Sequence, residues 1–271
     1  MFKYKKEQKT IEINGIKIGG RNPIVLIGTI FYKEEKNRND FNYIESLVNN
    51  ILELSEKNEI PFLLDVFIDE KDDFEKTINF TSKFKIPFLI DSHDWETRIK
   101  SFKFCKEVGL MDSVIYNSFN SGMPLEEKEE LKTLRPKNAL LLAFNPVNNS
   151  IPGKIETIKK KLLPVAQLSG VRNILLDSGS MPIGNKSLES IKAVIALKSN
   201  FGYPTGCGIH NIVSSWIKEK EFDKEIKNIC DSSLMACQAI LGADFIMYGP
   251  IESSYRVFPV IRMIQDVLND G

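Results

Sequence analysis

Short apolar runs recur along this chain, each giving way to a polar residue and then to a stretch of helical periodicity. The runs cover residues 24–30, 62–67, 88–90, 113–116, 139–144, 173–176, 203–208 and 245–248. Polar residues that end them begin at Asp65, Asp91, Asn117, Asn145, Asp177 and Asn211, in steps of 26, 26, 28, 32 and 34 residues. Such a step fits one strand–helix unit, because a crossover between parallel strands needs roughly a dozen residues or more. Residues 41–57 place Ile44, Leu47, Val48, Ile51, Leu52 and Leu54 on one helical face. Pro124 opens another helix and is followed by Glu126, Glu127, Glu129 and Glu130. Proline suits a first turn, where its missing N–H would be unpaired anyway, and the acids oppose the positive end of the helix dipole. Residues 223–241 and 254–268 read as the last two long helices.

Strands this apolar are buried on both faces, as in a parallel sheet covered by helices. Eight units predict an α/β chain closed into a (β/α)8 TIM barrel, with an open doubly wound sheet as the competing arrangement. Residues 10–18 break the repeat. There Asn14-Gly15 separates two short alternating segments, which predicts a hairpin with a two-residue turn. That hairpin, within an extension over residues 1–23, is expected to cap the N-terminal mouth of the barrel. No linker or low-complexity stretch interrupts the remainder, so residues 1–271 are read as one domain.

Composition narrows the function classes. Apolar residues make up 42% of the chain and charged residues 27%, the balance of an ordinary soluble protein with one sizeable core. Lysine plus arginine equals aspartate plus glutamate at 36 each, and no basic stripe stands out, which argues against nucleic-acid binding. The basic start lacks the apolar stretch of a secretory signal. No run approaches the roughly 18 apolar residues of a membrane helix. Cys105, Cys207, Cys230 and Cys237 show no C-x-x-C spacing and are read as reduced thiols of a cytoplasmic protein.

In a TIM barrel, chemistry gathers at the C-terminal ends of the strands. Here those ends carry Asp65, Asp91, Asn117, Ser118, Asn145, Asp177, Asn211 and Glu252. With no lysine among them, a Schiff-base mechanism is disfavoured. Two histidines, His93 and His210, and scattered cysteines argue against tetrahedral zinc, while carboxylate-bound magnesium stays open. Plainer readings exist for each residue. Asp65 could be a helix N-cap, each asparagine a turn former, and each histidine a rim or structural residue. Cys207 is the thiol nearest the site, and the cysteines read as small core residues. Gly242-Ala243-Asp244 and Gly249 are similar to the last strand of phosphate-binding barrels, but equally to an ordinary turn. What distinguishes the set is its carboxylates and carboxamides. A pterin ring presents N3–H and a 2-amino group side by side, and one ionised carboxylate accepts from both. Carboxamides match the alternating donors and acceptors of the remaining ring edge. Asp91, Asn117 and Asp177 have that chemistry.

The opening MFKYKKEQKTIEINGIKIGG, the run IVLIGTIFY, and the segments LIDSHDWETR, DSVIYNSFN, ILLDSGS and GCGIHN carry a family resemblance over essentially the whole chain. The chain resembles the H-subunit family of tetrahydromethanopterin S-methyltransferase, which includes bacterial methylcorrinoid:tetrahydrofolate methyltransferases. The segment after Tyr32 looks shorter than in the methanogen protein. Across pterin-binding TIM barrels, an Asp after the third strand, an Asn after the fourth and an Asp after the sixth hold the pterin. The resemblance therefore implies Asp91, Asn117 and Asp177 as substrate-binding, and the strand-end pattern adds Asp65, Asn145 and Ser118 to the expected substrate-binding set. In corrinoid-linked members an Asn after the seventh strand reaches the pterin N5, which implies Asn211 as the catalytic residue. The resemblance also implies tetrahydrofolate or a tetrahydropterin as methyl donor or acceptor, a corrinoid protein as partner, and a place in one-carbon metabolism. It further implies a homodimer and no tightly bound metal. Dihydropteroate synthase, a more distant likeness, carries a basic residue near its last strands for a diphosphate. Only Arg256 stands there, so that activity ranks low. Two other readings stay open. One is a metal- or phosphate-dependent barrel enzyme using Asp65, Asp91 and Asp177. The other is a non-catalytic pterin-binding subunit of a larger complex.

Overall fold

The computed structural model describes residues 2–32 and 37–270. The segment after Tyr32, expected to be short, thus lies partly outside the described residues. Strands β1 (Thr10–Ile13) and β2 (Ile16–Gly19) pair antiparallel, with Ile13 opposite Ile16. Asn14 and Gly15 both take positive φ, 44° and 84°, which a two-residue turn of this hand requires and which asparagine and glycine tolerate. Eight strands follow: β3 (Val25–Ile30), β4 (Phe62–Phe67), β5 (Phe88–Asp91), β6 (Val114–Phe119), β7 (Asn138–Leu142), β8 (Asn173–Asp177), β9 (Thr205–Cys207) and β10 (Phe245–Pro250). They pair in parallel in chain order, and β10 returns to β3 to close the barrel.

The helices between them are α1 (Phe41–Asn58), α2 (Phe74–Ser82), α3 (Trp95–Glu107), α4 (Leu125–Leu134), α5 (Ile151–Glu156), α6 (Leu163–Leu168), α7 (Ser187–Phe201), α8 (His210–Lys220) and α9 (Lys224–Ile240), with α10 (Ser254–Asn269) after the last strand. The expected TIM barrel is therefore the observed fold. Strand ends depart from the apolar runs for backbone reasons. The run over 203–208 shrinks to three paired residues, since Pro204 has no N–H to give a ladder. A widened turn over Thr157–Leu162 joins α5 to α6, where Leu163 N–H reaches back to Ile158. Pro164, one residue later, cannot supply the next helical hydrogen bond. Among the described residues no helix is long and apolar enough to cross a membrane.

Two apolar layers hold this architecture. The outer layer lies between strands and helices. The inner one packs Val25, Ile27, Leu63, Leu89, Ile115, Leu140, Leu175 and Phe245 against Ile11, Ile13 and Ile18 of the hairpin. The hairpin thus plugs the N-terminal mouth as expected. Asn173 Nδ2, at the start of β8, donates to the Glu12 carbonyl at 3.0 Å, and Asn14 Nδ2 donates to the Lys85 carbonyl at 3.2 Å.

One ionic cluster is buried between α3, α4 and β6. Glu127 Oε1 accepts from Arg98 Nη2 at 2.8 Å and from the Tyr116 hydroxyl at 2.6 Å. Arg98 also donates to the Ser92 carbonyl, fixing the loop that leaves β5. Removing one member of a buried pair strands the other charge, at a cost of about 3–5 kcal/mol. Glu127→Ala is accordingly expected to lose stability on that scale in denaturant unfolding. A loss under about 1 kcal/mol would mean that the guanidinium finds water or another acceptor.

Candidate active site

Side chains alternate between the two faces of a strand, so the inner apolar layer prescribes which residues face inward one step higher. Above Ile27 comes Thr29, above Leu63 Asp65, above Leu89 Asp91, above Ile115 Asn117, and above Leu175 Asp177. The apolar floor of the barrel therefore carries a polar layer toward its C-terminal mouth. Register joins its members, with Thr29 opposite Asp65 and Asp91 opposite Asn117.

Asp65 is the fourth residue of β4 and lies inside the strand rather than after it. The helix-capping alternative for it fails, because α2 is capped by Asp73, whose carboxylate accepts from the Lys76 N–H. Asp65 instead accepts from Thr29 Oγ1 at 2.9 Å and from Asn117 Nδ2 at 3.3 Å, while only 3% exposed. Burial, and then the neighbouring Asp91 carboxylate, push its pKa well above the usual carboxylate range. Burial raises Asp91 too, against the opposing pull of His93 and Arg98. Asn117 likewise sits inside β6. Ser118 follows it at a bulge, where Asn117 faces Leu140 but Phe119 faces Leu141. Bulges of this kind re-aim side chains beside functional sites.

Asp177 closes β8 and is buried. One carboxylate oxygen accepts the Gly179 N–H at 2.8 Å, and the Cys207 thiol also hydrogen-bonds to the group. Burial pushes its pKa up to about 6, although Lys154 and these donors pull it down. Lys154 comes from α5 and is wholly buried. A lysine in IPGKIE reads as a solvated helix position, and nothing in the local pattern announces it. Thr29 was more legible, since it shares strand parity with Val25 and Ile27.

The remaining candidates separate. Asn145 does not join the polar layer. Its Oδ1 accepts the N–H groups of Val147 and Asn148 at 3.0 and 3.1 Å, and its Nδ2 donates to Thr157 Oγ1 at 3.1 Å. Both polar atoms of that side chain are engaged in shaping the loop after β7, in line with the turn-forming alternative. Asn211 is the second residue of α8 and is exposed at the mouth. Helix α8 has no side-chain cap, so Asn211 does not serve as one. Its Nδ2 donates to Ser180 Oγ at 3.4 Å, which joins the ends of the segments ILLDSGS and GCGIHN.

His93 is exposed and sets its ring edge-on to Phe67, 5.2 Å between centroids, whereas His210 lies 3.1 Å from the Met247 carbonyl through Nδ1. Glu252 turns toward α1, accepting from the Tyr43 hydroxyl at 3.5 Å. Arg256 binds Asp231 at 3.0 Å and ties α10 to α9. Gly242-Ala243-Asp244 lies at the opposite end of the barrel, where Asp244 pairs with Lys198 at 2.7 Å, so it is a structural turn. Gly249 takes φ +83°, and a Cβ there would meet the His210 ring at 2.9 Å. Among the described residues no three His, Cys, Asp or Glu side chains are grouped to hold a metal ion.

The family described as the tetrahydromethanopterin S-methyltransferase MtrH subunit matches residues 6–270 of this barrel. The H-subunit of the tetrahydromethanopterin S-methyltransferase of Methanothermobacter marburgensis is 35% identical over 292 positions, covering 100% of this chain and 94% of that one. Its counterpart in Methanosarcina mazei is 31% identical over 295 positions, with 100% and 93% covered. Among solved structures, the dihydropteroate synthase of Yersinia pestis superimposes with a TM-score of 0.69 at 13% identity, over 96% of this chain and 98% of that one. The 7,8-dihydropteroate synthase of Vibrio fischeri gives 0.67 at 12%, with 97% and 99% covered. At such identity the second pair speaks for the fold alone, while the full-length relatives speak for descent. This chain belongs to the family of the tetrahydromethanopterin S-methyltransferase MtrH subunit.

Proposed function

We propose that this chain moves a methyl group between N5 of a reduced pterin and the cobalt of a corrinoid held by a partner protein. The observation that carries the reading is the polar layer of Asp65, Asp91, Asn117 and Asp177 at the C-terminal mouth of a barrel in this family. Asp177 accepts the paired donors N3–H and the 2-amino group, which one ionised carboxylate spans. Asp91 and Asn117 meet the rest of the ring edge, with Asp65 holding the Asn117 carboxamide and Ser118 shaping the strand end. A ligand lacking these groups would leave buried acceptors unpaired, which gives the site its selectivity.

The corrinoid, arriving over the open mouth on its own protein, supplies the electron pair that forms the new bond to the methyl carbon. As the carbon–nitrogen bond breaks, its pair stays on N5, a poor leaving group that departs more readily when given a hydrogen bond or a proton. We assign this role to Asn211, whose exposure at the mouth supports it. Its neutral carboxamide donates toward charge growing on N5 and accepts from an N5–H in the reverse direction. The other residues position two large reactants in line. The four cysteines are free thiols, which fits a cytoplasmic protein.

A single assay tests the reading. Chain, corrinoid protein and either tetrahydrofolate or an archaeal tetrahydropterin are mixed, and the absorbance change between methylated and reduced corrinoid is followed. Methyl transfer that survives EDTA is expected. Recovery only on adding magnesium would favour the metal-dependent enzyme, and pterin binding without transfer would favour the non-catalytic role.

A further inference from the structure

We propose that Lys154 is a positioning residue for Asp177, one that fixes the 178–179 backbone and keeps the carboxylate charged and aimed at the barrel mouth. The proposal rests on the pterin reading of that site, but its central claim concerns Asp177 alone. Lys154 Nζ, fully out of solvent, donates to the carbonyls of Ser178 at 2.7 Å, Gly179 at 3.1 Å and Ala143 at 3.3 Å, with Asn149 Oδ1 at 3.5 Å. An ammonium held by three carbonyls is anchored in position, and it pins the chain leaving β8 to the chain leaving β7. The pinned segment is the one whose Gly179 N–H points at Asp177 Oδ1.

The fit is close. Gly179 takes φ +69°, and a Cβ there would lie 3.4 Å from Lys154 Nζ and 3.5 Å from the Ala143 carbonyl. The charged and titratable groups around this pair are few. Asp177 faces Lys154 from α5 and Cys207 from β9, and Lys154 faces Asp177, Cys207 and Glu189 of α7. Among the described residues, Lys154 is therefore the one cation acting on a carboxylate that burial alone would drive toward its neutral form. A neutral Asp177 would offer one of its oxygens as a donor and could not accept from two ligand donors at once.

The test compares wild type, Lys154→Met and Asp177→Asn. The infrared C=O band of a protonated carboxylic acid, assigned by its loss in Asp177→Asn, is titrated without ligand. Lys154→Met is expected to move the midpoint of that band up by about one pH unit or more from the wild-type value near 6. The acid limb of tetrahydropterin affinity, measured by calorimetry from about pH 5.5 to 8.5, should move with it and recover at the alkaline end. An unmoved midpoint with a lowered Tm would overturn the proposal and leave Lys154 a strut, as would a wild-type midpoint more than about one unit above the expected value. A shifted midpoint in protein that binds no pterin would sustain Lys154 and sink the pterin reading instead. Should Lys154→Met fail to fold, Lys154→Gln keeps a donor without the charge and is read in the same way.

Discussion

Asn211→Ala is expected to slow single-turnover methyl transfer about a hundredfold while changing pterin affinity only a few-fold. One donor aimed at charge that develops in the transition state is typically worth on the order of 3 kcal/mol. That interaction is absent from the ground state, so its loss appears in the chemical step and not in binding. The side chain is free to act in this way. It is exposed at the mouth and held by a long hydrogen bond to Ser180 Oγ, which a pterin N5 can replace. Stability should hardly change, because α8 is not capped through Asn211. Tm, affinity and transfer rate measured on the same variant separate the roles. Near-normal transfer, whatever the Tm, would show that Asn211 is not the group that assists N5.

Replacing Asp177 should produce opposite effects on binding and on stability. Asp177→Ala leaves two ligand donors without an acceptor in a buried site, at about 1–3 kcal/mol each, so pterin affinity should fall at least roughly tenfold. Unchanged affinity by calorimetry would remove Asp177 from the site. The free protein should respond differently. Burial raises this carboxyl from 3.8 to about 6, so between those values the folded chain binds a proton that the unfolded chain does not. The ionised group thus costs stability above about pH 6, on the order of 1–3 kcal/mol, and the cost fades as pH falls toward about 4. Asp177→Asn, which keeps an acceptor for the Gly179 N–H, is expected to raise Tm by several degrees at about pH 7.5 and to lose that advantage near pH 4. A Tm at the higher pH equal to or below that of wild type would mean that the ionised carboxylate is better solvated than its burial implies. The expected rise would make the site an instance of function held at the expense of stability.

Much of this molecule was determined by residue order alone. Apolar runs at a spacing of about 30 residues can bury both faces only in a helix-covered parallel sheet, and eight of them close. Asn14-Gly15 specifies its turn because both positions need positive φ, and the isoleucines beside it had to find an apolar surface, which the barrel floor supplies. Asp91, Asn117 and Asp177 were legible as neighbours because each follows an inward apolar residue by two positions, and strand alternation carries them to the same side.

What residue order left open depends on partners far apart in the chain. Asp65 could cap a helix or face the barrel, and only the pairing of β3 with β4 placed Thr29 opposite it and left α2 to Asp73. Asn145 had the right chemistry for the mouth, yet its loop folds back to Thr157 and consumes every polar atom of its side chain. Lys154 sits on a helix whose sequence reads as surface, and it becomes a buried counter-charge only because two strand ends turn their carbonyls toward it. Strand and helix periods are properties of adjacent residues and can be counted along the chain. Hydrogen-bond partners and desolvation are properties of the closed barrel, which alone decides which polar groups meet and which of them lose water.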